Sequence, residues 1–215
     1  SIVISYMKMR TLIGLLGMAL PAICYLWCIV YNDNRVLDSI SMHYYTNFRD
    51  LFVGILITFS VFLISYKGYD ALDNAVTMII GISGIGIALF PCVNPGAGEK
   101  VSFMLLDSSR TSVIHYISAG AFFSLLSFNS FFLFTKSKAR VQRGSRKYYR
   151  NIVYRVCGVV IIAALISMLT ALLATTQEFR DASHILMVQE TIMLAAFGVS
   201  WLVKGGALIR DIRQG

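Results

Sequence analysis

Six long apolar runs restrict the fold of this chain more than any other feature of its sequence. A transmembrane helix needs about 20 apolar residues, within a range of about 17–25. Backbone groups in hydrocarbon must be satisfied within the segment, so runs of this length are helices. We predict one all-α domain over 1–215, an integral membrane bundle of six transmembrane helices. The predicted spans are 11–31, 51–66, 74–91, 111–135, 156–177 and 185–209.

The composition excludes an ordinary soluble domain. Charged residues make up 14% of the chain, hydrophobic residues 57%, and the mean hydropathy is +0.69, whereas soluble domains have about 25% charged residues. The formal charge of +8 would indicate nucleic acid in a soluble protein. Here the basic residues follow the loops, so we predict membrane lipids and no nucleic acid as partners.

The distribution of lysine and arginine predicts the orientation. Six spans divide the 19 basic residues into fourteen on the side of both termini and five on the other. Cytoplasmic loops carry the excess of Lys and Arg, so both termini are predicted to be cytoplasmic. The topology is that of a multi-pass protein.

Glu190 is the strongest candidate for a functional residue. Ionisable residues inside a membrane are costly and usually have a partner and a role. Glu190 lies in the sixth span and His115 at similar depth in the fourth, both near the non-cytoplasmic side. We predict that both face the bundle interior as a ligand-binding or proton-linked pair.

The segment that precedes the second span adds to this site. It is polar and aromatic, with Tyr44 and Tyr45 followed by Arg49 and Asp50. Asp50 suits the amino end of a helix, whereas the charge of Arg49 is disfavoured there. We expect Arg49 either to bridge to an acid (Asp50, Asp107 or Glu190) or to contact an anionic substrate.

Metal binding is a weaker alternative. His43, His115 and His184 all fall on the non-cytoplasmic side, and three histidines with a carboxylate can hold zinc. No HxxxH or HExxH spacing is present, so no metal and no cofactor is predicted. Cys28 and Cys92 both approach the outer surface, and a disulfide between them is left open.

The loop after the fourth span is strongly basic. Its charges are interpreted first as topogenic, and binding of anionic lipid headgroups is the alternative. The seven basic residues are Lys136, Lys138, Arg140, Arg143, Arg146, Lys147 and Arg150. Farther along the chain, Lys204 is expected to reach towards the cytoplasmic boundary, with Trp201 as an interfacial anchor.

Small residues predict where helices approach closely. Gly81, Gly84 and Gly86 lie in the third span, and small residues at helix interfaces allow membrane helices to pack. Packing within the bundle is the first interpretation, and a homo-oligomer through these glycines is the second.

Parts of the sequence resemble a known group. The matching residues are Ser39-Ile40-Ser41, Tyr44-Tyr45-Thr46, Arg49-Asp50-Leu51-Phe52-Val53-Gly54, His115, Ser118-Ala119, Phe122-Phe123, Glu190 and Ala196-Phe197-Gly198-Val199-Ser200-Trp201-Leu202-Val203-Lys204-Gly205. The chain thereby resembles a family of uncharacterised bacterial polytopic inner-membrane proteins. The resemblance implies a location in the bacterial inner (plasma) membrane and implies no activity.

The predicted function follows from the polar cluster. We predict that the bundle binds or translocates a small molecule, lipid or ion through a polar pocket in its outer half. One alternative is a membrane-embedded lipid-modifying enzyme, such as a metal-dependent hydrolase. A further alternative is an accessory subunit of a membrane complex.

Overall fold

The computed structural model describes residues 2–93, 106–137 and 140–209, with side chains from residue 6 onward. Within these ranges the chain is helical and contains no β-strand. The helices are α1 (Ile2–Tyr31), α2 (Arg49–Ser65), α3 (Ala71–Leu89), α4 (Ser108–Phe128), α5 (Arg146–Ala174), α6 (Gln177–Ser183) and α7 (Ile185–Lys204). A 3₁₀ helix (Ser41–Tyr45) precedes α2, and a π-helical segment (Asn129–Leu133) continues α4.

Five of these helices are long and apolar enough to cross a membrane: α1, α3, α4 with its π-helical segment, α5 and α7. The remaining long helix, α2, has 17 residues, which corresponds to about 25 Å at 1.5 Å per residue. A hydrocarbon core is about 30 Å thick. The chain is therefore an α-helical membrane protein with five candidate spans, and α2 is the shortest of its six long helices.

Two helix boundaries differ from the predicted spans for identifiable reasons. Helix α5 begins at Arg146 rather than near 156, because its first turns carry charges and extend beyond the apolar run. Helix α7 ends at Lys204 rather than near 209. There Gly206 has φ +72° and closes a Schellman motif, in which Ala207 N–H donates to the carbonyl of Leu202 at 2.9 Å.

The six long helices form a closed ring. Helix α1 packs against α2, and the sequence of neighbours continues through α3, α4, α5 and α7 back to α1. We call the end with the connections 32–48, 90–93 and 175–184 the acidic end. The opposite end, with 66–70, 134–137, 140–145 and 205–209, is the basic end.

Glycines set the spacing between several helices of this ring. A Cβ on Gly81 would fall 2.6 Å from the carbonyl oxygen of Ser60 in α2, whereas Gly84 and Gly86 face the side-chain hydroxyls of Ser60 and Ser118. These contacts are within one chain. A homo-oligomer through the same glycines would require α2 and α4 to move away from α3.

Three phenylalanines from three helices meet on the axis of the ring. Phe59, Phe122 and Phe197 have pairwise ring-centroid distances of 5.9, 6.0 and 6.5 Å. We call them the aromatic layer. Trp201 continues this packing towards the basic end and is 0% exposed, so the expectation that it is an interfacial anchor is wrong.

Candidate functional site

The connection between α1 and α2 folds over the acidic end and is held there by Glu190. The Oε2 atom of Glu190 accepts a hydrogen bond from the backbone N–H of Ile40 at 2.5 Å, and its Oε1 accepts from the hydroxyl of Ser41 at 3.2 Å. Ile40 is the N-cap residue of the 3₁₀ helix and Ser41 is its first residue. Glu190 therefore holds the amino end of a helix that lies 150 residues earlier in the sequence.

Glu190 also stands where two cavities meet. The outer cavity, at the acidic end, has a volume of about 180 Å³, and the axial cavity, nearer the aromatic layer, about 40 Å³. The axial cavity is apolar apart from Ser41 and Glu190, and residues of all six long helices line it. Four residues line both cavities: Ser41, Ala119, Met168 and Glu190.

The outer cavity carries more negative than positive groups. Its lining contains the carboxyl groups of Asp38, Asp181 and Glu190 and one cation, Arg180. The guanidinium of Arg180 donates to the carbonyl of Thr175 at 2.5 Å, which fixes it at the rim. This cavity is thus suited to a ligand with a positive charge or several hydrogen-bond donors.

Asp38 and Asp181 act on each other. Partial burial raises the pKa of Asp38, the negative charge and a hydrogen bond of Asp181 raise it further, and nearby His184 opposes the shift. Burial and a like charge both disfavour the ionised form of a carboxyl group.

The Asp38 pair predicts how stability depends on pH. Because the pKa of Asp38 is raised in the folded state, protonation favours folding. Stability should therefore fall as the pH rises above the ordinary value of 3.8 and through the raised pKa. Asp181→Asn should flatten this fall, as measured by thermal unfolding in detergent across that pH range. Asp33→Asn, an exposed acid of the same connection, is the control, and equal pH profiles for both variants would contradict the prediction.

His115 lines the outer cavity and is 4% exposed. Its Nδ1 lies 2.8 Å from the carbonyl oxygen of Phe90, so this nitrogen is the donor and the hydrogen bond joins α4 to the end of α3. The structure thus places His115 and Glu190 in the lining of one cavity, without a direct hydrogen bond between them.

The other predicted site residues lie outside both cavity linings. Instead of bridging to an acid, Arg49 has its guanidinium 4.4 Å from the ring centroid of Tyr44 and donates to the Tyr44 hydroxyl at 3.0 Å. The hydroxyl of Tyr45 donates to the carbonyl of Cys92 at 2.5 Å. Asp50 is exposed in the first turn of α2. Asp107 caps α4 and pairs with Arg110 at 3.1 Å.

The three histidines lie in separate environments. His43 is fully buried and reaches the carbonyl of Cys24 at 3.3 Å and the thiol of Cys28 at 3.6 Å, and burial lowers its pKa. His184 links α6 to α7 with φ 48°. Within the described parts of the chain, no three His, Cys, Asp or Glu side chains are arranged to hold a metal ion, so the three-histidine site is not formed there.

Cys28 and Cys92 are both free thiols. The Cys92 thiol contacts the sulfur of Met42 at 3.8 Å, whereas the Cys28 thiol faces His43. The disulfide that the sequence left open is absent.

Comparison with known proteins adds no assignment. No protein-family model, curated protein or solved structure matches the chain.

Proposed function

We propose that this protein crosses the membrane six times, with its basic end in the cytoplasm, and binds a small cationic amphiphile at its acidic end. The observation that carries the proposal is the position of Glu190 between a polar outer cavity and an apolar axial cavity. A carboxyl group at such a junction can hold the polar end of a ligand whose apolar end enters the bundle.

The contacts of α2 support its assignment as an additional membrane-spanning helix, which brings the number of spans to six. At one end the indole of Trp27 in α1 donates to Asn47 at 3.0 Å, just before α2. At the other end the ring of Tyr6 in α1 contacts that of Tyr66, just after α2, with the ring centroids 6.2 Å apart. Trp27 and Tyr6 are separated by about 32 Å of helix at 1.5 Å per residue. Helix α2 and its flanking residues thus match about 30 Å of hydrocarbon.

The charges at the two ends support the orientation. At the basic end the described residues include Lys67, Arg140 and Arg143, whereas the cavity at the opposite end is lined by three acids and one arginine among its charged residues. The positive-inside rule then favours a cytoplasmic basic end.

The cavity volumes limit the size of the ligand. A single water molecule needs a cavity of about 10–15 Å³. The axial cavity of about 40 Å³ therefore admits a short apolar group. The outer cavity of about 180 Å³ holds a larger polar part. Both limits favour a small amphiphile over a lipid with long acyl chains.

The aromatic layer favours ligand binding over translocation. Phe122 lines the floor of the axial cavity, and its contacts with Phe59 and Phe197 close the ring axis below it. Translocation of the ligand would require these three rings to separate. Binding at the acidic end requires no such rearrangement and is the function that the geometry supports best.

Three probes with one chain length test the proposal: n-hexylamine, n-hexanol and hexanoate. In purified protein, saturation-transfer NMR should show hexylamine binding at least about tenfold more tightly than hexanoate, since hydrogen bonds to charged groups contribute about 1.5–3 kcal/mol each. Ala119→Trp should abolish binding, because Ala119 lines both cavities.

The matched control is Ile117→Trp, on the same helix at a side chain that is 68% exposed, and it should bind hexylamine normally. Equal binding of hexanoate would exclude the cationic specificity. Equal behaviour of the two tryptophan variants would exclude the cavities as the binding site.

A further inference from the structure

A second pocket lies at the basic end, far from the cavities described above. Its volume is about 600 Å³. The lining combines two aromatic or hydroxyl side chains, one acid and three cations, which are Tyr69, Ser137, Asp70, Lys136, Lys147 and Arg150. The seven basic residues of the loop are thereby divided: three line this pocket, three (Arg140, Arg143 and Arg146) are exposed elsewhere, and Lys138 lies outside the described residues.

The acids near this pocket are already bound by one of its cations. The ammonium of Lys136 donates to Asp70 at 2.8 Å and to Asp73 at 2.6 Å. Burial opposes the charge of Lys136, but these two hydrogen bonds outweigh it and the pKa of Lys136 is raised. The same contact with Lys136 lowers the pKa of Asp70. These three residues form a structural link between the start of α3 and the end of α4.

Further positive charge stands behind the pocket wall. The ammonium of Lys204 lies 4.7 Å from the ring centroid of Phe134 and 5.0 Å from that of Tyr69. Arg10, Lys147 and Arg150 are all close enough to repel Lys204 electrostatically. Without Lys204, the described residues of this region still contain four cations (Arg10, Lys136, Lys147 and Arg150) and two acids (Asp70 and Asp73). The region therefore has a positive potential that favours an anion.

The arrangement of the cations matches a phosphate group better than a diffuse counter-ion layer. Guanidinium and ammonium groups that converge on one pocket give strong charge-assisted hydrogen bonds to phosphate oxygens. Lys147 is oriented by its own hydrogen bond to the carbonyl of Phe134 at 3.1 Å. The hydroxyl groups of Ser137 and Tyr69 add neutral donors.

The position of the pocket favours a lipid as the source of that phosphate. Lys147 and Arg150 lie in the first turns of α5, just before the predicted membrane span that begins near residue 156. A phosphate in the pocket would thus lie at the level of the lipid headgroups on this side of the membrane. Anionic headgroups are attracted to basic segments of this kind by about 1 kcal/mol per Lys or Arg.

We propose that the basic-end pocket is a discrete site for the phosphate of an anionic phospholipid, held by Lys147 and Arg150. Lys136 acts as a positioning residue for the pocket wall. The site is independent of the amphiphile cavity at the acidic end, so either proposal can fail without the other.

Native mass spectrometry of the full chain with defined lipids tests this site. Dioleoylphosphatidylglycerol should be retained as one adduct in preference to dioleoylphosphatidylcholine. The double variant Lys147→Gln, Arg150→Gln should weaken this retention at least tenfold, whereas the matched double variant Arg140→Gln, Arg143→Gln should change it less than twofold. Equal losses in both variants would overturn the discrete site, as would the absence of a preference for the anionic lipid.

Two further arms complete the test. Inorganic phosphate and glycerol 1-phosphate at millimolar concentration should not displace the lipid, and displacement would show that the site takes a soluble phosphate instead. Circular dichroism checks the fold of each variant. Lys147→Arg, which keeps both charges, should retain the lipid even if the double glutamine variant unfolds, and a loss of binding there with intact helix content would contradict the role of charge.

Discussion

Replacing Glu190 by alanine is expected to destabilise the protein by about 2–3 kcal/mol, because the buried N–H of Ile40 and the hydroxyl of Ser41 lose their acceptor. Glu190→Gln should cost less, since an amide oxygen can still accept from Ile40. Its binding of hexylamine should nevertheless fall about tenfold or more, because the negative charge is gone. Unfolding followed by circular dichroism in detergent measures the first effect, and NMR titration measures the second.

The two variants separate the structural from the functional role of Glu190. Glu178→Gln removes an exposed acid at the same end and should leave both stability and binding unchanged. An alanine variant as stable as the wild type would contradict the role of Glu190 in holding residues 40 and 41. A glutamine variant that binds hexylamine like the wild type would contradict the proposed ligand contact.

Gly81→Ala is expected to destabilise the bundle by about 1–3 kcal/mol, the usual range for overpacking, and Gly81→Val by more. A Cβ at this position meets the backbone of Ser60 and Ile64 at 2.6–3.0 Å, and backbone atoms cannot turn aside as a flexible side chain can. Helices α2 and α3 would have to separate. The change in unfolding free energy in detergent is the measurement.

Gly120→Ala is the matched control. No atom lies within 4 Å of the Cβ position at Gly120, so this substitution should stabilise α4 by up to about 1 kcal/mol through helix propensity alone. Similar effects at both positions would show that helix propensity, not helix contact, determines the change in unfolding free energy. A change of oligomeric state without loss of stability in Gly81→Ala would favour the homo-oligomer interpretation.

Long-range contacts explain why the sequence predicted the bundle more completely than the site. Apolar run length alone indicates a helical membrane protein, and the cost of burying charge alone selects Glu190. The partner of Glu190 is the backbone of Ile40, which no residue pattern can indicate, since every non-proline residue carries the same N–H.

Two acids of the site could not be identified from the sequence. Asp38 and Asp181 are loop residues in the sequence, and they line one cavity only because two separate connections fold over it. Arg49 was expected to need an acid, and an aromatic ring satisfies it instead. The predicted relation of His115 to Glu190 was closer to the structure, because depth within a span can be read from the sequence.

The pairing of α1 with α7 has a consequence for biogenesis. The first and last long helices of the ring approach where Gly14 faces Gly198, and a Cβ on Gly198 would fall 2.8 Å from the carbonyl oxygen of Gly14. Until α7 is synthesised, the earlier helices form an open arc. The cavities then lack the side that α7 provides, and residues 40 and 41 lack the carboxyl group that binds them. Closure of the ring therefore waits for α7, and a nascent chain halted before α7 would lack both the contact between α1 and α7 and the hydrogen bonds of Glu190 to residues 40 and 41.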